Sequence, residues 1–206
     1  MISARLLDVA VEQFGSLGFE GASTRAIARA SGTAMSSITY HFGGKEGLYL
    51  AAAEHIAAGI AARQKTPLEA ARAAAEGPRE AAVGALLALL DSFAQMMLRA
   101  ESAPWARFIM REQQAPTEAF ERLWRQAMEP VAETFVALVR RARPDLVEEE
   151  ARATAVLLFG QAMILRGGRA SVTRVMRREA LDDEAGALLR ARIRANALCI
   201  LQEKTQ

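Results

Sequence analysis

The sequence predicts an all-α protein, with a three-helix helix-turn-helix domain over residues 1–50 and a helical effector-binding and dimerisation domain over residues 51–206. Composition is the first reason. Hydrophobic residues make up 51% of the chain and aromatics only 6%, with frequent alanine runs and sparse β-branched residues, a mixture that favours helix over sheet. Periodicity is the second, since apolar residues return three and four positions apart. The third is a pair of short helical patterns hinged at Gly32. A chain of 206 residues is long enough for one small and one larger core.

The first helix begins at once and carries Asp8 and Glu12. Ser23 suits an N-cap, its hydroxyl accepting one of the N–H groups that a first turn leaves unpaired. Beyond it Ile27 and Ala28 face inward while Arg25 and Arg29 stay at the surface. Gly32 makes the turn, where a residue without Cβ takes positive φ cheaply. A third helix runs over about 34–42, anchored by Ile38 and Phe42 one turn apart. Met35, Ser36, Ser37, Thr39, Tyr40 and His41 are left as its polar exposed face. Adjacent serines suit a groove better than a core, although Tyr40 and His41 beside Phe42 also suit packing. Gly43 and Gly44 stop the helix, and Lys45 just beyond is placed to reach a phosphate. Such a motif lays its second helix in a DNA major groove; a plain helical hairpin within a core is the competing reading.

The remaining elements follow from breakers and caps. A connecting helix over 45–64 carries Leu48, Ala52, His55, Ile56 and Ile60 along one side. Thr66-Pro67-Leu68-Glu69 reads as a restart, a capping box with proline at the first helical position. Gly77-Pro78 opens the next helix, through Leu86, Leu90, Phe93 and Met97 to residue 100. Pro104 and Pro116 bracket a short helix over 105–114, and a long one over 116–143 has Pro130 as its kink. The next begins at Asp145, with Glu148 completing a capping box, and ends at Gly167-Gly168. The last begins near Asp182, after a basic connector over 172–179. These final two carry small and large apolar residues at helical spacing, as a four-helix interface between two subunits requires.

Charge, cysteine and motif content narrow the function classes. Net charge is only +2, and Arg5, Arg25, Arg29 and Lys45 are matched by Asp8, Glu12, Glu20 and Glu46 in the first fifty residues. A local basic stripe from Arg25 to Lys45 survives, implying a moderate salt dependence of DNA binding. The lone cysteine, Cys199, lies among Ile193, Ala197, Ile200 and Leu201, where a buried structural thiol is favoured over a redox switch. No signal peptide is read at the start, and no uninterrupted apolar run reaches the ~20 residues of a membrane span; the expectation is a cytoplasmic protein without a membrane partner. An enzyme is not expected: His41 and His55 are too far apart for a helical metal pair, and there is no cysteine cluster, phosphate loop or nucleophile elbow. No cofactor and no metal are expected. A helical interaction module that has lost DNA binding remains the other alternative.

The run from Arg5 to Leu50, with Gly18-Phe19-Glu20-Gly21, Thr24-Arg25-Ala26-Ile27-Ala28 and Tyr40-His41-Phe42-Gly43-Gly44-Lys45-Glu46-Gly47-Leu48, resembles the DNA-binding domain of TetR-family transcriptional repressors. The resemblance implies a homodimer on a palindromic double-stranded operator, released when a small-molecule effector enters the C-terminal domain. It implies phosphate contacts from Thr24, Arg25 and Lys45, and groove contacts from Met35, Ser36, Ser37, Thr39, Tyr40 and His41; Thr39 stands where many members carry an aromatic. The stretch from Trp105 to Phe120, with Gly160-Gln161 and Arg166-Gly167-Gly168-Arg169, resembles the C-terminal domain of the CecR-like branch. That implies a regulator of transport or drug-susceptibility genes.

The same stretch holds polar groups inside otherwise apolar helices. Arg107, Arg111, Glu112, Gln161 and Arg166 are candidate effector contacts, because a buried guanidinium needs a carboxylate or an anionic ligand. Trp105, Phe108, Trp124 and Met128 are candidate apolar walls. The alternative is an internal network, for instance Arg111 with Glu118 or Glu129, that pins helices together.

Overall fold

The computed structural model describes residues 4–202 and contains helices and no strand among them. Helix α1 spans Ala4–Gly21, α2 Thr24–Ser31, α3 Met35–Phe42 and α4 Lys45–Ala75; α5 is Arg79–Leu98, followed by a 3₁₀ turn at Ala100–Ser102. Then come α6 (Ala103–Gln114), α7 (Glu118–Leu123), a π-helical turn (Trp124–Met128), α8 (Glu129–Ala142), α9 (Glu148–Gly167), α10 (Arg169–Val175) and α11 (Asp183–Gln202). The chain forms two compact units that are discontinuous in sequence: residues 1–63 with 101–129, and residues 64–100 with 130–206. The segment 101–129, which the sequence assigns to the effector domain, thus packs with the helix-turn-helix.

Within the first unit, Leu6, Ala10, Val11 and Phe14 of α1 meet Ile27 of α2, Ile38 of α3 and Leu48, Ala52 and Ile56 of α4. Phe108 from α6 and Leu123 from α7 close this core. Tyr49 sits at its centre, edge-on to Phe14 at 4.9 Å and stacked on Phe108 at 4.7 Å between ring centroids, geometries that suit the ring quadrupoles.

The second unit has its own core, built from Leu86 and Leu90 of α5, Phe135, Leu138 and Val139 of α8, Leu158 and Leu165 of α9 and Ile193, Ala197 and Leu201 of α11. Phe93 stacks on Phe159 at 4.0 Å. Among the described residues, α5 is the one helix long and apolar enough to cross a membrane. Its Ala82, Leu86, Leu87, Leu89, Leu90 and Ala94 are instead buried against protein.

Several boundaries differ from the sequence reading, each for a local reason. The restart at Thr66-Pro67 does not occur, and α4 continues through Pro67. Proline removes one backbone hydrogen bond at roughly 3 kcal/mol, and burial of Leu68 and Ala71 beyond it offsets that loss. Near Pro130 the chain does not simply kink; the π-helical turn at Trp124–Met128 lies immediately before it. Helix α9 starts at Glu148 rather than Asp145, because Glu150 Oε2 accepts the Val147 N–H at 3.0 Å while Asp145 is taken by Arg143 at 2.8 Å. The basic connector forms the short helix α10. Cys199 is exposed rather than buried, since the inner face of α11 is set by Ile193, Ala197 and Leu201.

Candidate nucleic-acid interface

The interface is built by how α2 and α3 begin and end. Ser23 is extended and its Oγ accepts the Ala26 N–H at 3.4 Å, starting α2. Gly32 closes α2 in the left-handed region at φ 70°, and the Thr33 N–H reaches the Ala28 carbonyl at 2.9 Å. This paired closure satisfies carbonyls that the last turn leaves open. Buried Ser31 donates back to the carbonyls of Ile27 at 2.8 Å and Ala28 at 3.1 Å, so its hydroxyl is spent inside the motif.

Helix α3 is held by Ile38, with half-buried Phe42 packed against the same core. Ile38 is fully buried, whereas Met35, Ser36, Thr39, Tyr40 and His41 are exposed and Ser37 is half-buried. Tyr40 is 84% exposed, and its ring touches only the edge of His41 among described aromatic contacts. The packing alternative for Tyr40 and His41 therefore gains no support from burial. Gly43, at φ 72°, caps α3 and donates to the Thr39 carbonyl at 2.9 Å. The result is a short helix presenting hydroxyls, a thioether, a phenol and an imidazole outward, the mixture that reads base edges and phosphates.

The cationic groups are placed differently from one another. Arg25 and Arg29 are exposed and Thr24 half-buried on α2. Lys45 donates through Nζ to the Glu20 carbonyl at 3.1 Å and lies 4.8 Å from the Phe19 ring centroid. An ammonium has three donors, so this anchorage leaves two while fixing where the charge sits.

Behind the interface, α6 and α7 are fastened to α1 and α4 by polar side chains. Arg111 donates through Nε to the Gly15 carbonyl at 2.8 Å and through Nη2 to the Ser16 carbonyl at 2.9 Å. These are last-turn carbonyls of the regular part of α1, which breaks at Gly18 (φ 76°); the guanidinium thus caps a helix C-terminus from another helix. Arg107 Nη2 pairs with Glu12 at 2.7 Å. Glu112, 2% exposed, accepts from the Tyr49 hydroxyl at 2.5 Å and from the Thr117 hydroxyl and N–H at 2.8 and 3.2 Å. Burial, then the bond to Glu112, pushes the Tyr49 phenol well above its ordinary range. Trp105 lies against Gly59, whose Cβ, if present, would stand 2.3 Å from the indole, and Arg63 stacks on that ring at 4.4 Å.

The candidate effector residues are therefore divided. Trp105, Arg107, Phe108, Arg111, Glu112, Trp124 and Met128 belong to the first unit, Gln161 and Arg166 to the second. Phe108 is core, Trp124 stacks with Phe120, and Met128 packs at the core edge. Arg111 meets neither Glu118 nor Glu129; its described bonds go to α1. In the second unit Gln161 accepts from Asn196 at 3.2 Å, and Arg166 donates to the Arg99 carbonyl. Spacing along α6 places Arg107 and Arg111 on one face but carries no sign of their partners about a hundred residues upstream. Sequence reasoning also missed Gln64, 8% exposed with an Oε1 that no described donor reaches.

Comparison with known proteins places both halves. Residues 6–52 match the model of bacterial regulatory proteins of the tetR family, and residues 82–204 match the C-terminal domain of the HTH-type transcriptional dual regulator CecR. The dual regulator CecR of Shigella flexneri is 29% identical, over 98% of this chain and 92% of that protein. The crystal structure of Mycobacterium smegmatis AmtR is similar with a TM-score of 0.63 at 22% identity, covering 100% of this chain and 89% of that one. A transcriptional regulator from Rhodococcus sp. Rha1 is similar with a TM-score of 0.56 at 18% identity, over 96% and 95% of the two chains. At these identities the structures bear on the fold alone.

Proposed function

This chain is a TetR-family transcriptional regulator with a CecR-type C-terminal domain, and from that premise we propose that it is a ligand-responsive, cytoplasmic repressor of transport or drug-susceptibility genes, released from a palindromic operator by a small molecule. The observation that carries the DNA-binding assignment is α3: a buried anchor, a glycine cap at its C-terminal end and an outward polar face. Thr24, Arg25 and Lys45 are the phosphate contacts in this reading, and Met35, Ser36, Ser37, Thr39, Tyr40 and His41 the groove contacts.

Dimerisation follows from what the second unit leaves uncovered. Val156, Leu157 and Ile164 on α9 and Leu188 on α11 are at least half exposed, which suits burial against a second copy. Two-fold symmetry then presents recognition helices about 34 Å apart, or a turn multiple, to successive grooves.

Release is a population shift: effector binding favours a subunit arrangement in which those helices no longer match the operator. Supporting this reading, α6 and α7 grip α1 and α4 through Arg107, Arg111, Glu112 and Arg122, and α4 continues into the second unit. Similarity to a protein named a dual regulator favours a second reading in which the same operator contact activates some promoters. Charge reversal at Arg25 and Lys45 tests the DNA assignment, with loss of affinity for every fragment expected. Unchanged affinity would point to an interaction module instead. Operator affinity indifferent to a compound shown to bind the second unit would overturn the release mechanism.

A further inference from the structure

Helix α3 presents hydroxyls and apolar groups outward, and none of the side chains that form paired bonds with a base edge. From Met35 to Phe42 it contains no Arg, Lys, Asn, Gln, Asp or Glu, the residue types that make bidentate or charge-assisted bonds to guanine, adenine and cytosine. The guanidinium groups of Arg25 and Arg29 stand on α2, the helix that crosses the DNA backbone in this motif. The hydroxyls of Ser36 and Thr39 can bond to more than one base and so discriminate poorly. Tyr40 and His41 stand near the C-terminal end of α3, away from the N-terminal residues that meet base edges.

What remains for reading sequence is apolar. Ala34, Met35 and Thr39 are all exposed, Met35 by 41%. Met35 and Thr39 are four residues apart and share one face of the helix. Ala34 holds the N-cap position and makes no side-chain cap bond, where Ser, Thr, Asp or Asn would accept a first-turn N–H; the position carries a methyl in place of a cap. In the major groove the apolar feature of a base pair is the C5-methyl of thymine.

We propose, resting on the DNA-binding reading of α3, that this helix recognises its operator through thymine methyl groups. Ala34, Met35 and the Thr39 methyl pack on them, so that A·T pairs under α3 define each half-site. Thr39 acts here through its methyl, and a serine in its place keeps the hydroxyl while losing the contact.

The test uses the full-length protein and the palindrome it selects from a random DNA pool, synthesised once with thymine and once with deoxyuridine throughout both half-sites, a change that removes only the methyls. Each contacted methyl is expected to contribute about three- to fivefold in affinity, and the deoxyuridine operator is expected to bind at least tenfold more weakly. Thr39→Ser and Met35→Ser are each expected to shrink that penalty, binding the two operators more nearly alike than the unaltered protein does. Equal affinity of the unaltered protein for the two operators, or a selected half-site without A·T pairs, would overturn the proposal while leaving operator binding intact. A penalty that neither variant shrinks would also overturn it, because the methyls would then act through the shape of the DNA. Failure to select any palindrome would instead remove the DNA-binding reading, and this proposal with it.

Discussion

Arg111 is bonded to the carbonyls of Gly15 and Ser16 where α1 ends its regular course, and removing it leaves the carbonyl of buried Gly15 without this donor, while that of exposed Ser16 turns to water. Arg111→Ala is expected to destabilise the protein by about 1–3 kcal/mol in urea unfolding. Arg111→Lys restores only part of this, since one ammonium cannot reproduce the fork; full stability of the alanine variant would show that the cap is idle. Gln64 makes the opposite case. Its buried Oε1 lacks a described donor, so Gln64→Leu is expected to raise stability by about 1 kcal/mol, and a fall would reveal a partner supplied in the native state. At this scale the sequence was legible where a residue's role is local. Ser23, Gly32, Ile38 and Gly43 do what their types and spacing predict, because caps, turns and anchors depend on neighbours within a few positions. Arg107 and Arg111 were recognised as unusual, but their partners on α1 lie far away in the chain and leave no trace in helical periodicity.

Between elements, close approach is set by absent side chains. Gly15 lets α6 cross α1 so tightly that an added Cβ would lie 3.0 Å from the Pro104 carbonyl oxygen, and Gly59 admits Trp105. Gly59→Ala must displace the indole; the expected readouts are a red-shifted tryptophan emission and a lower melting temperature. In the second unit α5 and α11 are joined by Arg190, which donates to both Asp91 oxygens at 2.6 and 2.7 Å. That bond, assisted by Gln95, holds the Asp91 carboxyl below its ordinary 3.8. A depressed carboxyl contributes stability that is fully present above the unfolded value and is lost as pH falls through the folded one. Asp91→Asn is therefore expected to flatten the stability profile below pH 3.8, as followed by urea midpoints; an unchanged slope would contradict the assignment. Element order was largely readable from breakers and caps, yet Pro67 misled, since a strong local stop signal yielded to burial of Leu68 and Ala71. The early start expected for α9 failed for a related reason: Asp145 can serve Arg143 as readily as a helix terminus.

At the scale of the whole molecule, function rests on pairing two copies. Leu157→Asp places a charge on the exposed apolar face of α9, and is expected to yield a monomer by light scattering with operator affinity lower by on the order of a hundred-fold, because the second half-site no longer binds intramolecularly. A dimer of undiminished affinity would move the interface elsewhere. The grouping of residues 101–129 with the helix-turn-helix was not legible in the sequence, where that segment continues the pattern of the helices on either side. The central claim, a symmetric dimer reading DNA through α3, is tested most directly by selecting bound fragments from a random DNA pool with the full-length protein at near-physiological salt. The account predicts recovery of a palindrome whose half-site centres lie a whole number of helical turns apart. Recovery of nothing above background, or of a single asymmetric half-site, would contradict it.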